Sequence, residues 1–356
     1  MKKKQWILGL AVLAIFVALA AYAQHKYPFH WQTFLEQFKL ADWGKIGIAL
    51  ACIYMAYVFR SVRWAMLLRH IKKVGPFSLL GTQVIGFTSV ALIGRIADPV
   101  RPYLVAKKTG LPLSNQVAVY IVERLFDLAS MALIFCSMIL LAPAGALPHP
   151  EVLKKVCYGA LAATVGGAFF LVAVRLAGEM VASFLDGLFG MASKKLGHAV
   201  GHKIRTFRAG LDTMRTFTDF AVILALSLAM WGLISLAYLE ITTAFSASPQ
   251  LAHLTLAKCM LLMASSLAVS GFQLPVIGWF TQIGAVAAAM SGFFGVAAEP
   301  ATACAATLLL VGFLGIAPIG LIWARFEHVS LRKIAAESEH AEEALAVDEP
   351  GSLNVL

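Results

Sequence analysis

Apolar residues run along this chain in long blocks. Six of them, roughly 5–23, 46–68, 115–141, 154–175, 219–245 and 301–325, are long enough to cross a bilayer as single helices. Two further blocks, 77–109 and 254–297, are too long for one span and are interrupted by Pro, Gly and polar residues. Such interruption predicts a helix, a break and a second helix, an element that transporters place at membrane depth. The expected fold is all-α: a polytopic membrane protein with about six transmembrane helices and two re-entrant broken-helix hairpins.

Charge placement sets the direction of each element. Segment 175–215 holds seven Lys and Arg, which predicts a cytoplasmic location. The cluster Arg60, Arg63, Arg69, Lys72 and Lys73 is assigned to the same side on the same rule. Between these regions the spans 115–141 and 154–175 already return the chain to the cytoplasm, so 77–109 must enter and leave from that face. Its second arm, Pro99 to Lys107, rises only about 12 Å as a helix, against a hydrocarbon core of about 30 Å. Applied after 245, the same logic makes 254–297 re-entrant from the opposite face. The count then places 20 basic residues in the cytoplasm, six outside, and Arg95, Arg101 and Arg124 within the membrane. Two span–hairpin–span units run in opposite senses, an inverted repeat that brings its two broken elements together near the bilayer midplane.

Composition agrees with this picture. The chain is 60% hydrophobic and 13% charged, with a formal charge of +10. The basic residues gather at the ends of apolar blocks and no aromatic-basic motif accompanies them, so they read as topology signals and nucleic acid is not an expected partner. Five cysteines stand singly, without metal-ligand or disulfide spacing. The opening "MKKKQWILGLAVLAIFVALAAYA" has a basic start and an "AYA" that mimics a cleavage site, but its apolar run exceeds a usual signal-peptide core. It is expected to be an uncleaved anchor, with both chain termini cytoplasmic. Residues His30 to Trp43 form an aromatic amphipathic stretch suited to the outer interface, and 178–215 a basic amphipathic one suited to anionic headgroups. His198 and His202 have i,i+4 spacing but no acidic or Cys partner, so neither metal nor cofactor is expected. One transmembrane domain, 1–333, is predicted, followed by an acidic, disordered tail, 334–356.

The chemistry concentrates in two places. "GRIADPVRPYLVAKK" brings Arg95, Asp98 and Arg101 into the first hairpin, and "VERLFDL" brings Glu123, Arg124 and Asp127 into the following span. Glu123 lies about 14 Å along a helix from Ser114, and Asp127 one turn further on the same face. Charges at that depth cost about 2.5–3.5 kcal/mol each on insertion scales, so they must face protein or a water-filled cavity. Two roles are open for the arginines. They either clamp the hairpin against Glu123 and Asp127, or hold an anionic group whose oxygens match a guanidinium fork. No nucleophile motif or phosphate-cradling glycine loop accompanies the carboxylates, so no enzymatic role is expected.

The stretch "IGRIADPVRPYLVAKKTGLPLSNQVAVYIVERLFDL" resembles the signature of the lysylphosphatidylglycerol synthase transmembrane domain family, a flippase-like membrane family. Arg95, Asp98 and Arg101 match its Arg, acidic and Arg positions, and Glu123, Arg124 and Asp127 match its Glu-Arg-x-x-Asp motif. Ile93 stands where the family often has Pro, Ala97 where it has Gly, and Asp98 replaces Glu. In "LPVIGWFTQIG" the family's usual glutamate is Gln282. The resemblance implies a protein that translocates or binds a lipid with an anionic headgroup, in the inner (plasma) membrane. Arg95 and Arg101 would engage phosphate, Asp98, Glu123 and Asp127 would orient them, and Pro275, Gly278 and Gln282 would line the facing hairpin. Bifunctional relatives carry a separate soluble domain that attaches an amino acid; none is evident here, and synthase activity is not expected. Two alternatives remain at this stage: a membrane enzyme or accessory subunit acting on polyprenyl-phosphate-linked sugars, and a non-transporting scaffold. The expected partners are anionic membrane lipids, with a homo-oligomer or a separate lipid-modifying enzyme left open.

Overall fold

The computed structural model describes residues 29–330, apart from 144, 192, 195–200, 202–215, 271–276 and 328–329. The described residues form helices and connecting turns. A short α1 (Trp31–Leu40) leads into α2 (Trp43–Leu68), which starts where the Asp42 carboxylate accepts from the backbone of Gly44 and Lys45. Helix α3 (Pro76–Ile93) starts on a proline, whose missing N–H costs nothing in a first turn. It stops at Gly94, whose φ of 96° and ψ of −172° no residue with a side chain adopts easily. A 3₁₀ turn, Arg95–Ala97, then leads to α4 (Val100–Thr109). Helices α5 (Leu113–Leu140) and α6 (Pro150–Gly190) follow, the latter bent at Ala177. In the second half, α7 (Phe217–Ala244) opens with a capping box between Thr216 and Asp219. After the one-turn α8 (Pro249–Ala252) come α9 (Leu256–Ser270), α10 (Ile277–Phe294), α11 (Ala298–Gly312) and, past a 3₁₀ turn at Leu314–Ile316, α12 (Ala317–Phe326).

Helices α2 and α7 pack along their whole length and form the spine. They are antiparallel. The Asp42 N–H at the start of α2 donates to the carbonyl of Ala244, and Arg69 and His70 at its far end meet Asp219 at the start of α7. The core between α2, α7, α9 and α11 is apolar, built from residues such as Ile53, Ile241, Met260 and Cys304, while large apolar side chains such as Phe169, Leu176 and Phe184 face outward. All five cysteines are free and buried.

Both interrupted blocks fold back on themselves. Lys72, just before α3, donates from Nζ to the carbonyl of Thr109 at the end of α4 (2.6 Å), so that unit begins and ends at one end of the molecule. Gly86 allows the two arms to touch: a Cβ there would collide with Arg101 Cγ. In the second unit, Lys258 near the start of α9 lies over the ring of Phe294 at the end of α10 (5.5 Å).

The described residues give four to five candidate membrane spans. Among the described residues, four helices are long and apolar enough to cross a membrane: Trp43–Leu68, Pro76–Ile93, Pro150–Phe170 and Phe217–Ala244. A fifth is reached if α11 and α12 count together, and that expected straight span is bent by 41° at its break. Helix α5 has the length, but Glu123, Arg124 and Asp127 sit at its middle. Helix α3, expected as half a hairpin, is by itself about 27 Å long. The expected span 5–23 and the tail 334–356 lie outside the described residues, as do His198, His202 and most of 178–215.

Candidate functional site

Arg60 and Arg63 on α2, and Glu123 and Asp127 on α5, are spaced by three and four residues, so each pair shares one helix face. The two faces are bridged by their charges. Arg63 Nη1 donates to Asp127 Oδ1 and to Ser227 Oγ of α7, both at 2.7 Å, and Nη2 donates to Glu123 Oε1 at 2.6 Å. The Ser227 hydroxyl in turn donates to the carbonyl of Ile223. On the other side of Glu123, Arg101 Nη2 approaches Oε2 at 2.8 Å and also donates to Gln83 Oε1 at 2.8 Å. Its guanidinium lies 4.2 Å from the centre of the Phe87 ring. Trp231 Nε1 donates to Asp127 Oδ1 (3.2 Å). Arg63, Arg101 and Glu123 are each 1% exposed, so this network is sealed from solvent.

Two further arginines complete the cluster, and, like Arg63 at its Nε, each has buried nitrogens without an acceptor. Arg60 Nη1 stands 3.5 Å from both Glu123 and Asp127, and its buried Nε and Nη1 have no hydrogen-bond acceptor. Arg124 reaches Asp127 Oδ2 at 2.8 Å, while its Nε also lacks an acceptor. Both line a cavity of about 200 Å³. The cavity wall continues with Arg95 and Asp98 from the first broken unit and with Ser266, Ser270 and Gln282 from the second. The two units touch there. Arg95 donates to the carbonyl and hydroxyl oxygens of Ser270, both at 2.9 Å, and Trp279 Nε1 donates to the carbonyl of Ala91 (3.1 Å). Gln282 donates to Ser266 Oγ.

The structure joins most of the residues picked from the sequence. Arg101, Glu123, Arg124 and Asp127 form one cluster; Arg95, Asp98 and Gln282 share the cavity with Arg124. Arg95 pairs with Asp98 at 3.6 Å and with Ser270, so the expected clamp on α5 is made by Arg101. Gly278 is buried in the first turn of α10 and is not part of the cavity wall; Pro275 lies outside the described residues. Arg60 and Arg63 require a correction. They were assigned to the cytoplasmic boundary, but they are buried partners of Glu123 and Asp127. A signal for this was present: Arg60 lies eight residues, about 12 Å, before the end of α2, too deep for its side chain to reach the interface comfortably.

Long apolar helices around a sealed charge cluster define an α-helical integral membrane protein. Within that class, residues 6–321 match the family model for the lysylphosphatidylglycerol synthase TM region, and the chain belongs to that family. No curated protein and no solved structure matches it.

Proposed function

We propose that the protein binds a lipid by its anionic, phosphate-containing headgroup and moves it between leaflets. The observation that carries this reading is the set of buried arginine donors without acceptors, on Arg60 and Arg124, facing a cavity where two broken-helix units meet. Unsatisfied guanidinium N–H groups away from water are costly, and phosphate oxygens are their best-matched acceptors. The cavity lining also includes the apolar Ile53, Val90, Ile234 and Leu267, which suit the first carbons of a lipid tail.

The paired ends support alternating access. Both broken units return to the end from which they start, one at each end of the α2–α7 spine, as re-entrant hairpins in an inverted repeat would. In this reading Glu123 and Asp127 position the arginines and perform no chemistry on the lipid, which leaves unchanged except for its leaflet. Purified protein in liposomes with a headgroup-labelled anionic phospholipid tests this. Leaflet exchange should exceed that of protein-free vesicles and fall toward the protein-free rate in Arg124→Gln. Equal exchange by folded Arg124→Gln and the unaltered protein would refute the role given to this cavity, and a chemically altered lipid would indicate an enzyme.

A further inference from the structure

We propose that the cavity selects a headgroup with two negative charges, a terminal phosphate monoester, over the singly charged phosphate diester. This rests on the headgroup reading above and names its substrate class.

Arg60, Arg63, Arg101 and Arg124 surround Glu123 and Asp127, so four arginines against two carboxylates leave two positive charges in excess, while the more exposed Arg95 and Asp98 pair with each other. The residues that form the cavity wall give the same surplus: Arg60, Arg95 and Arg124 against Asp98. The carboxylates are already engaged. Glu123 is held by Arg63 and Arg101, and Asp127 by Arg63, Arg124 and Trp231. A twofold positive surplus in a low-dielectric interior is unfavourable, and an anion of matching charge relieves it.

The donor inventory points the same way. On the two cavity-lining arginines, Arg60 Nε and Nη1 and Arg124 Nε and Nη2 are buried without a hydrogen-bond acceptor, the last standing 2.8 Å from Asp127 Oδ2 as an ion pair. Arg60 is 7% exposed, and Phe87 supports its guanidinium at 4.6 Å, so the fork is held in place before any ligand arrives. A phosphate monoester presents three terminal oxygens and carries about −1.5 to −2 charge at neutral pH. Two surplus charges and several open donors therefore meet two charges and three oxygens. A diester has two terminal oxygens and one charge, and leaves one positive charge unanswered.

Equilibrium titrations of the detergent-solubilised full chain, read by tryptophan fluorescence, test the selection with phosphatidic acid, phosphatidylglycerol, phosphatidylcholine and inorganic phosphate as probes. Phosphatidic acid should bind about tenfold or more tighter than phosphatidylglycerol, the worth of one further charge-assisted hydrogen bond. Arg60→Gln, which removes one surplus charge and the open donors of Arg60, should abolish that preference, while Arg60→Lys should keep part of it. Equal affinity for phosphatidic acid and phosphatidylglycerol in the unaltered protein would overturn the selection and leave the headgroup reading standing. Binding of neither lipid would overturn both. Inorganic phosphate bound as tightly as phosphatidic acid would assign the site to a soluble anion and overturn the lipid class.

Discussion

Glu123 accepts from two guanidiniums on opposite sides, Arg63 at 2.6 Å and Arg101 at 2.8 Å, and it is the residue on which the buried network turns. Replacing it by Gln leaves both arginines buried with one carboxylate fewer. Breaking a buried ion pair from one side typically costs about 3–5 kcal/mol. Glu123→Gln should therefore lower the thermal unfolding midpoint in detergent strongly, whereas Arg60→Gln, whose nitrogens already lack acceptors, should change it little. Equal destabilisation by the two would contradict the division between a sealed structural layer and an open cavity-facing one. This division was only half legible in the sequence. Glu123, Arg124 and Asp127 stand out because charges inside an apolar block are rare and costly. Arg60 and Arg63 were masked by Arg69, Lys72 and Lys73 behind them, since a run of basic residues at a helix end carries the same signal as a topology marker.

The break in the first interrupted block is legible in the sequence. Gly94 and Pro99 bracket the break in the first unit, and its arms, α3 and α4, return close to where they start, as the Lys72 contact with Thr109 shows. The bend at the break before α12 was not legible: "LVGFLGIAPIG" is apolar enough to pass as one helix, and only three-dimensional packing separates α11 from α12. Gly320 contributes to that packing, because a Cβ there would collide with Thr88 of α3. If the first unit is a re-entrant hairpin, Lys73→Cys and Lys107→Cys will react with a membrane-impermeant thiol reagent from the same, cytoplasmic side, and Gln250→Cys only from the other. All three positions are exposed and the native cysteines are buried, so the background should be low. Labelling of Lys73→Cys and Lys107→Cys from opposite sides would mean that α3 and α4 cross the membrane together.

At the scale of the whole molecule, charged contacts sort to two ends and one middle. Arg69 with Asp219, and Lys108 with Glu327, mark one end; His30 with Glu299 marks the other, beside the Asp42–Ala244 contact. Between them, the four-arginine cluster and its cavity occupy the junction of the two broken units. The sequence predicted this convergence through the opposed span–hairpin–span pattern, but which side chains close the site depends on distances between α2, α5 and α7 that periodicity does not encode. In the proposed function this junction holds an anionic phospholipid headgroup through Arg60 and Arg124, and mass spectrometry of lipid that co-purifies with the protein is its sharpest test. A phosphate-bearing anionic lipid should be retained by the unaltered chain and lost from a folded Arg60→Gln/Arg124→Gln variant; the same lipids in both, or only zwitterionic lipid in the unaltered chain, would contradict that function.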